Sequence, residues 1–346
     1  MYRIELASSS NLNEWQNFVD SQPQAHPLHH SGWFHVLLES SAVKPRFLIA
    51  RNEHGAIAGV MPAYLSRSAI SGAHVTTFDA GILAAHPAAG AQLVERARER
   101  LTAERAKYFL LRGAPHDGHD PSDRDGEYVM SIIDTRRTSE EMWQQIKKKT
   151  RWYIRQGEKQ GFSIRVDSDL AKVDAFYALY AAHVHRLGTP VMSGRMMQAM
   201  ARYLGPQRLR LLLVERGSKI VGGMMTVVAN RGFLDLYALV QHDLRNTAAG
   251  YLLYWKALEL ASREGAAELN LGRSSAGSGT HLFKMKWGGR DEPLIYRCYS
   301  AAGDAGADAL EKYRRKGTLM QGMWKRLPLW AANRIGPVLR RQLPFG

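Results

Sequence analysis

The chain has 346 residues, of which 45% are hydrophobic and 23% are charged, and its formal net charge is +15. This length exceeds what one hydrophobic core usually serves and predicts two domains, while the composition is globular and excludes an intrinsically disordered chain. The single cysteine, Cys298, excludes a disulfide framework within the chain and fits a reducing compartment.

We expect neither a signal peptide nor a membrane span. The first six residues lack the apolar core of a signal peptide, and no run approaches the ~20 apolar residues that cross a bilayer. The sequence therefore predicts a cytoplasmic protein.

The positive charge is concentrated in two segments. Residues 147–165 hold seven cations against Glu158 alone, and residues 301–346 hold nine cations against three acids. Such clusters predict an anionic partner, which would be RNA, a nucleotide-linked substrate or an acidic membrane surface. The alternative is a solvated face that only keeps the protein soluble. We expect no DNA partner.

The first half of the chain alternates short strands and helices. Apolar periodicity and turn residues predict a strand over 2–6, helices over 12–19 and 32–38, a β-hairpin over 46–64, a helix over 87–105, and strands over 107–111 and 128–133.

No metal site is predicted. The histidines of this half lack a carboxylate or thiolate at ligand spacing, so we interpret them as solvated or capping side chains. They are His26, His29, His30 and His35 before the hairpin, and His116 and His119 in a loop rich in Pro, Gly and Asp.

Residues 138–161 predict one long helix with a basic flank. Its acidic first turn favours the helix dipole. Helical spacing aligns Lys148, Arg151 and Arg155, with Trp152 beside them. Cations interleaved with aromatic rings can bind phosphates or stack on bases. The equally favoured alternative is that Trp152 lies on the buried face of the helix and the cations lie on its solvent-exposed face.

The second half repeats the first. Residues 210–225 match residues 46–61 as strand, turn and strand, and residues 252–272 match residues 93–113 as a helix followed by a strand ending in glycine. An internal duplication of about 150 residues is the simplest account of this order and spacing. A third strand, over 233–240, follows the second hairpin.

This order predicts an α/β protein with two mixed sheets and helices on both faces. The predicted domains are 1–134 and 135–300, followed by a basic helical tail over 301–346. In such sheets ligands bind where strand ends diverge, which places Tyr237 and residues 270–275 near one cleft.

The segment over residues 270–289 is the richest in candidate site residues. After an apolar strand comes a loop of small residues that contains Arg273, and then a short amphipathic segment with Phe283, Lys284 and Trp287. Small residues let the backbone approach a ligand, and the cations can hold an anion or a developing oxyanion. The alternative is a plain connection between two elements. The glycine spacing excludes a Walker phosphate loop.

Five short stretches resemble a known family. They are residues 149–161, 187–193, 251–256, 271–274 and 283–288. Through them the chain resembles the tandem-domain Fem-type transferases of the GNAT superfamily, and most closely the FemAB-related proteins found with bacterial PEP-CTERM and exopolysaccharide systems. The resemblance covers most of the second domain. The first domain matches mainly through its duplicated hairpin and residues 77–82.

The resemblance implies acyl transfer to an amine. Fem-type enzymes pass an amino acid from aminoacyl-tRNA to a peptidoglycan precursor, and their Phe-Lys pair, matched here by Phe283 and Lys284, lies at the acyl centre. An ammonium at that point stabilises the oxyanion of acyl transfer, so we expect Lys284 to be catalytic. The sequence assigns no single general base: Asp235 on the central strand is the candidate, and Glu215 and His185 are weaker alternatives. A base is unnecessary if the amine loses its proton to solvent.

Further residues are expected to bind the substrate around this pair. They are Arg273, Ser274, Phe283, Tyr237, Tyr254, Trp287, Arg151 and Arg155.

GNAT enzymes bind the pyrophosphate of the donor on backbone amides that open a helix, through an Arg/Gln-x-x-Gly-x-Gly/Ala turn. Arg245, Ala248 and Gly250 stand at those positions, and Ala248 replaces the first glycine with a methyl group that can block the pyrophosphate. The first domain has residues 86–90 there, without the arginine, and we expect it to bind no donor. No tightly bound cofactor is expected. The co-substrate is acyl-CoA or aminoacyl-tRNA.

The expected acceptor is an amine on a small-molecule or nucleotide-linked saccharide or peptide precursor of the cell envelope, with tRNA as a further candidate partner. A second hypothesis is a non-catalytic binding or scaffold protein that holds an anionic polymer or RNA.

The tail over 324–343 mixes apolar residues with arginines, which is compatible with peripheral contact with the inner membrane. We favour packing against the second domain, because Pro328, Gly336 and Pro337 should break any long amphipathic helix.

Overall fold

The computed structural model describes residues 2–40, 43–68, 72–113, 123–124, 128–230, 232–300, 322 and 324–340. The chain divides into two units whose segments alternate along the sequence. Unit 1 comprises Met1–Asp125, Val184–Ala199 and Leu294–Gly346, and unit 2 comprises Gly126–His183 and Met200–Pro293. The domain boundaries at residues 134 and 300 remain predictions.

The described strands are short in unit 1 and longer in unit 2. They are β1 (Arg3–Leu6), β2 (Lys44–Pro45), β3 (Leu48–Arg51), β4 (Ile57–Met61), β5 (Ala63–Ser68), β6 (Gly72–Thr77), β7 (Leu83–Ala84), β8 (Tyr108–Arg112), β9 (Asp123–Arg124), β10 (Tyr128–Asp134), β11 (Phe162–Asp167), β12 (Leu209–Arg216), β13 (Lys219–Ala229), β14 (Gly232–Val240), β15 (Glu268–Ser275), β16 (Arg290–Pro293) and β17 (Tyr296–Ser300).

The described α-helices connect these strands. They are α1 (Leu12–Ser21), α2 (Gly32–Ser40), α3 (Pro87–Ala103), α4 (Ser139–Gln145), α5 (Lys148–Lys159), α6 (Val173–Leu187), α7 (Gly194–Arg208), α8 (Ala249–Arg263), α9 (Gly279–Lys284) and α10 (Leu329–Arg340). Within the described residues, no helix is both long enough and apolar enough to cross a membrane.

Unit 1 contains two sheets, in the orders β1-β3-β4-β7 and β2-β5-β6-β8-β17-β9. The predicted hairpin is present as β3 and β4, with Leu48 opposite Met61. Pro62 follows β4 and has no N–H for a ladder, so one sheet ends there and β5 begins in the other. Strands β6 and β8 are parallel, and the chain between them includes α3, which buries Leu93 and Leu101 in the core.

Unit 2 is built on one seven-stranded sheet, in the order β11-β12-β13-β14-β15-β10-β16. Every neighbouring pair is antiparallel except β14 and β15, which are parallel. Helix α8 connects these two strands and buries Leu252, Leu258 and Ala261. The core therefore lies between α8 and one face of the sheet.

The predicted duplication is confirmed in the order of the elements. Hairpin β3-β4, helix α3 and strand β8 in unit 1 correspond to hairpin β12-β13, helix α8 and strand β15 in unit 2. In unit 2 the strand after the helix, β15, runs parallel to β14 directly before it, and in unit 1 β8 runs parallel to β6, with the short strand β7 between β6 and α3. The fold is thus α/β with two tandem copies of one mixed-sheet plan.

The prediction of one long helix over 138–161 was wrong. Its start is correct, because Thr138 and Glu141 form a capping box. The helix ends at Gln145, however, since Ile146 and Lys147 have extended backbone angles, with ψ of 133° and 141°. This break puts the side chain of Ile146 into the core of unit 2, and α5 then begins in a new direction.

The predicted break in the tail is present at Pro328, where turn residues separate helical residue Trp324 from the next helix, but it was wrong for Gly336 and Pro337. Helix α10 begins directly after Pro328 and continues through Gly336 and Pro337. Proline is well tolerated at a helix start, where its missing N–H has no partner to lose. The tail cations at positions 312–316 and Arg341 lie outside the described residues.

Three of the four histidines before the hairpin accept backbone N–H groups as capping residues do, and His29 and His30 are buried, whereas His35 lies within α2. His26 accepts a hydrogen bond from the backbone N–H of Leu28 at 3.2 Å, and His30 accepts one from Gly32 at 3.0 Å. Burial lowers the pKa of His26 to about 4 and that of His29 to about 3. His116 and His119 lie outside the described residues.

Candidate functional site

The parallel strands β14 and β15 separate at the centre of the unit 2 sheet. They pair at three positions, from Gly232 opposite Glu268 to Leu234 opposite Asn270. Asp235 is the next residue of β14. It stands where the strands stop pairing, so the sheet opens beside this carboxyl group.

A bulge lies at the same point of β14. Thr226 of β13 faces Asp235, whereas Met225 faces Tyr237, so Leu236 is an extra residue in the ladder. A bulge bends the strand and redirects the neighbouring side chains.

Strand β15 extends further than predicted and carries a second bulge. The small residues up to Ser275, expected as a loop, continue the strand, which is held by antiparallel pairing to β10. Met130 faces Arg273 and Ile132 faces Asn270, so β15 has one extra residue in this interval. Gly272 absorbs the distortion with a φ of +72°.

The two strands approach each other closely at this glycine. A Cβ atom on Gly272 would stand 3.0 Å from the backbone oxygen of Asp235. Glycine is thus required both by the left-handed backbone and by the space available.

Lys284 reaches this opening from helix α9. Ser278 caps the helix by accepting a hydrogen bond from the backbone N–H of His281 at 3.2 Å. Lys284 is the last residue of the helix and is only 5% exposed. Its ammonium donates to the backbone oxygens of Gly272 at 2.9 Å and Arg273 at 3.2 Å.

Asp235 is the buried carboxyl group of the site. Tyr254 donates its hydroxyl to Oδ2 of Asp235 at 3.3 Å, while no residue that the structure describes donates to Oδ1. Burial raises the pKa of Asp235 to about 7, against the opposing effects of the Lys284 charge and the Tyr254 hydrogen bond. Burial also raises the pKa of Tyr254.

The pKa of Lys284 is shifted in the opposite direction to that of Asp235. Burial lowers its pKa to about 8, since desolvation disfavours the charged form. The carboxylate of Asp235 opposes this shift, and the positive charge of Arg273 adds to it. The carboxyl and ammonium groups therefore both titrate near neutral pH.

Aromatic side chains form one wall beside Lys284. The ring of Tyr254 stacks on Trp287 at 5.9 Å and meets the edge of Phe283 at 5.1 Å between centroids. Tyr251 lies 5.2 Å from Phe283. Ser274 is buried as well, and within the described part of the chain its hydroxyl has no hydrogen-bond partner.

The structure thus brings together seven of the predicted site residues, and two of these were expected to be catalytic. They are Lys284, Asp235, Arg273, Ser274, Phe283, Tyr254 and Trp287.

Other predicted site residues make contacts elsewhere in unit 2. Tyr237 packs on Tyr180 at 4.9 Å between ring centroids. The flank residue Arg151 donates to Gln144 at 3.2 Å, and Arg155 lies 5.4 Å from the ring centroid of Trp143.

Trp152 decides between the two interpretations of the basic helix. Its side chain is 53% exposed, whereas Thr150, Ile154 and Gly157 are buried. Trp152 is therefore not the buried face of α5, and it stands on the solvent side with the cations.

The alternative bases are differently placed. Glu215 forms an ion pair with Arg165 at 2.8 Å at the edge of the sheet. His185 is a residue of unit 1.

The turn before α8 is closed by internal hydrogen bonds. The backbone N–H of Ala248 donates to the side chain of Gln160 at 3.1 Å, and that of Ala249 donates to the hydroxyl of Thr247 at 3.4 Å. Arg245 contacts the His242 ring nitrogen at 2.7 Å. A Cβ atom on Gly250 would meet nothing within 4 Å. Two amides of the predicted pyrophosphate site thus already have acceptors.

Sequence reasoning missed the pair formed by His281 and Asp291. The backbone N–H of Gly277 donates to Nδ1 of His281 at 2.9 Å, so the ring proton sits on Nε2. Nε2 donates to Asp291 at 2.6 Å, and the hydroxyl of Ser131 donates to the same carboxylate at 2.9 Å. These bonds tie the turn before α9 to strands β10 and β16. Asp291 carries no local sequence signal, because its partners depend on long-range strand pairing.

Unit 1 has a cavity of about 570 Å³ beside the start of α3. Ile82, Val94 and Leu111 supply apolar walls. Among the charged lining residues, Arg98 is paired with Glu95 at 3.1 Å. The expectation that this domain binds no donor remains a prediction.

Comparison with known proteins identifies the class. Residues 142–285 match the acetyltransferase (GNAT) domain family. No curated protein matches the sequence. Residues 142–285 therefore resemble a GNAT acetyltransferase domain, and this match supports acyl transfer as the class of reaction.

Solved structures extend the similarity to most of the chain. FemX has 12% identity and a TM-score of 0.64, over 85% of this chain and 96% of FemX. L-PGS from Bacillus licheniformis has 12% identity and a TM-score of 0.56, over 91% and 97%. A tandem GNAT protein from the clavulanic acid biosynthesis pathway has 13% identity and a TM-score of 0.54, over 87% and 99%. The predicted tandem GNAT fold and the Fem-type resemblance are confirmed at the level of the fold.

Proposed function

We propose that unit 2 is an N-acyltransferase that passes an acyl or aminoacyl group from an activated donor to an amine. One observation carries the proposal. The buried ammonium of Lys284 is fixed by two backbone carbonyls at the opening between β14 and β15, next to the buried carboxyl group of Asp235.

In this proposal Lys284 stabilises the oxyanion. An ammonium has three N–H donors, and the carbonyls of Gly272 and Arg273 take two of them, which leaves one for a substrate. Because its pKa is about 8, Lys284 is largely protonated at neutral pH. A buried cation stabilises negative charge on a carbonyl oxygen more strongly than water does.

Asp235 serves as the general base. Its pKa of about 7 is matched to a proton transfer at neutral pH, and its buried Oδ1 has no hydrogen-bond donor among the described residues, so it can accept one. The amine nitrogen attacks the donor carbonyl carbon and forms the C–N bond, while Asp235 takes a proton from that nitrogen. The C–S or C–O bond of the donor then breaks, and the leaving thiolate or alkoxide takes the proton back from Asp235.

The aromatic wall and Arg273 bind the two substrates in this proposal. Tyr254, Phe283 and Trp287 offer flat apolar surfaces to a sugar ring or an acyl chain. The Fem-type resemblance favours an acceptor amine on a saccharide or peptide precursor of the cell envelope.

The donor is acyl-CoA or aminoacyl-tRNA. GNAT domains use acyl-CoA as a co-substrate, which the match over 142–285 supports. The hydrogen bond from Ala248 to Gln160 weakens the pyrophosphate site that coenzyme A would need, and so favours aminoacyl-tRNA.

In the test, purified protein is incubated with labelled acyl-CoAs or aminoacyl-tRNAs and with amino-sugar or peptide acceptors, and transfer of the label to the acceptor is measured. Lys284→Ala should lower turnover by at least about tenfold, because the oxyanion then loses its charged hydrogen-bond donor. Lys256→Ala, which removes a lysine paired with Glu259 on α8, should leave turnover unchanged. Equal turnover in the two variants rejects the role of Lys284.

A second candidate function is a binding protein that holds an anionic polymer or RNA without transferring any group. The turn before α8 favours it, because two of the backbone amides there already have acceptors. Calorimetric titration separates the two. Micromolar binding of coenzyme A rejects the binding protein, while RNA binding that falls steeply with salt, without turnover on any donor, supports it.

A further inference from the structure

Helix α10 has one packed face and one open face. Ala331, Ala332 and Gly336 are buried, and a Cβ atom on Gly336 would stand 3.0 Å from Cγ1 of Val191. Gly336 thus allows α10 to pack closely against the rest of unit 1.

The open face carries large apolar side chains. Trp330 is 74% exposed and Val338 is 57% exposed, and Ile335 and Leu329 are exposed as well. Four of the eleven large apolar residues exposed in the described chain lie on this one helix, so the patch is concentrated rather than scattered.

Helical spacing orders these side chains into a row. Trp330, Arg334 and Val338 are four residues apart and therefore lie along one side of the helix, whereas Ile335 and Leu329 project nearer the packed side. The row centres about 150° around the helix from the mean direction of the buried residues. It presents an indole, a guanidinium and an isopropyl group to the solvent.

The charge of the segment has one sign. Lys325, Arg326, Arg334 and Arg340 are its cations, and no Asp or Glu occurs between positions 322 and 340. A second copy of the chain would bring the same positive charge against it, which disfavours self-association. RNA would satisfy the cations but would leave Val338 and Ile335 without an apolar partner. An anionic bilayer satisfies both, because its surface is negative and its interior is apolar.

We propose that α10 lies on an anionic lipid bilayer with its Trp330–Val338 row inserted at the level of the headgroups. Twelve residues make a helix of about 18 Å, which suits a position along the surface and is too short to cross the hydrocarbon layer. Arginine can extend from the row to the phosphates while its stem stays in apolar surroundings. The proposal is independent of the transfer reaction.

The first test measures co-sedimentation of the full chain with vesicles of phosphatidylcholine, alone or mixed with phosphatidylglycerol. We expect binding to the mixed vesicles only. The double variant Trp330→Ser, Val338→Ser should lower the partition coefficient about tenfold or more, and Arg334→Glu should lower it at least about fivefold. Leu38→Ser, which removes an apolar side chain on α2 that is 56% exposed, should bind as the unmodified protein does.

The second test locates the contact by tryptophan fluorescence with phosphatidylglycerol that carries brominated acyl chains. Bromine should quench the protein, and Trp330→Phe should remove most of that quenching. Trp152→Phe is the matched control, because Trp152 is exposed beside the cations of α5. Equal melting temperatures show that the variants fold.

Several results would overturn the proposal. They are binding that is unchanged in the double variant, quenching that is lost with Trp152 instead, no binding to the mixed vesicles at low salt, and a dimer in solution that the double variant dissociates. Binding of tRNA that needs Trp330 and Val338, without any binding to vesicles, would assign the face to RNA and overturn it too.

Discussion

The ammonium nitrogen of Lys284 lies 2.9 Å from the backbone oxygen of Gly272, the residue at which strand β15 bulges. A regular strand would direct this carbonyl into the ladder with one of its neighbours, β10 or β14. The bulge turns it towards α9 instead, where it holds a charged side chain that is almost completely buried. The position of the cation therefore depends on the backbone conformation of one glycine.

Gly272→Ala should disturb both the fold and the proposed reaction. Alanine at a φ of +72° is strained, and its Cβ would press on the backbone oxygen of Asp235 at 3.0 Å. We expect a loss of roughly 1–3 kcal/mol in the free energy of unfolding and turnover about tenfold lower, measured by denaturant titration and acyl-transfer assay. Gly265→Ala is the matched control, since Gly265 has the same φ and open space around it. It should lose stability through strain but retain turnover, and equal turnover in the two variants would contradict the prediction.

The rate of transfer should have a bell-shaped dependence on pH. Turnover rises as Asp235 loses its proton near pH 7, because the base must be ionised, and it falls as Lys284 loses its proton near pH 8, because the oxyanion then lacks its cation. The two groups are coupled, so the apparent pKa values belong to the pair. A profile of kcat/KM from pH 5 to pH 10 measures both limbs.

Asp235→Asn provides the control for the acidic limb. It should lower turnover and remove the rise near pH 7. The fall that reports Lys284 should remain but move to lower pH, because the carboxylate that raises the pKa of Lys284 is gone. A rise that persists in this variant would assign the acidic limb to another group.

Local patterns of the sequence were sufficient for much of the fold. Alternating apolar residues around polar turns predicted β3-β4 and β12-β13, and the repeat of this order predicted two copies of one plan. The short helix with Phe283 and Lys284 was predicted too, because it follows a strand and begins at small residues. These features depend on residues near one another in the chain.

Features that depend on distant residues were not predictable in this way. Strand β10 lies in the sheet of unit 2 and β17 in a sheet of unit 1, and nothing in either segment specifies its neighbour. The end of α4 at Ile146 results from a core that only the folded chain provides. The bond between Ser131 and Asp291 spans 160 residues. Helical propensity and strand periodicity depend on residues close together in the sequence, so they do not predict such contacts.

His281 should act as a positioning residue for Lys284. Its bonds to Gly277 and Asp291 fix the turn before α9, so His281→Ala should loosen that turn and lower turnover about tenfold, with faster amide exchange over residues 275–281. The basic limb of the pH profile should stay in place, because Lys284 itself is intact. His54→Ala removes an exposed histidine and should change neither measurement. Unchanged exchange in His281→Ala would show that the turn is held by other contacts.

Helices α5 and α8 should be sensitive to one added methyl group. A Cβ atom on Gly157 would stand 2.9 Å from Cβ of Leu252, and both atoms belong to rigid parts of their helices. Gly157→Ala should therefore force the helices apart and lower the free energy of unfolding by about 1–3 kcal/mol. Gly250→Ala makes the same change on α8 where nothing lies within 4 Å, and there alanine should be neutral or should raise stability by up to about 1 kcal/mol. Urea titration of both variants measures the contrast, and a Gly157→Ala protein as stable as Gly250→Ala would mean that the two helices have room to separate.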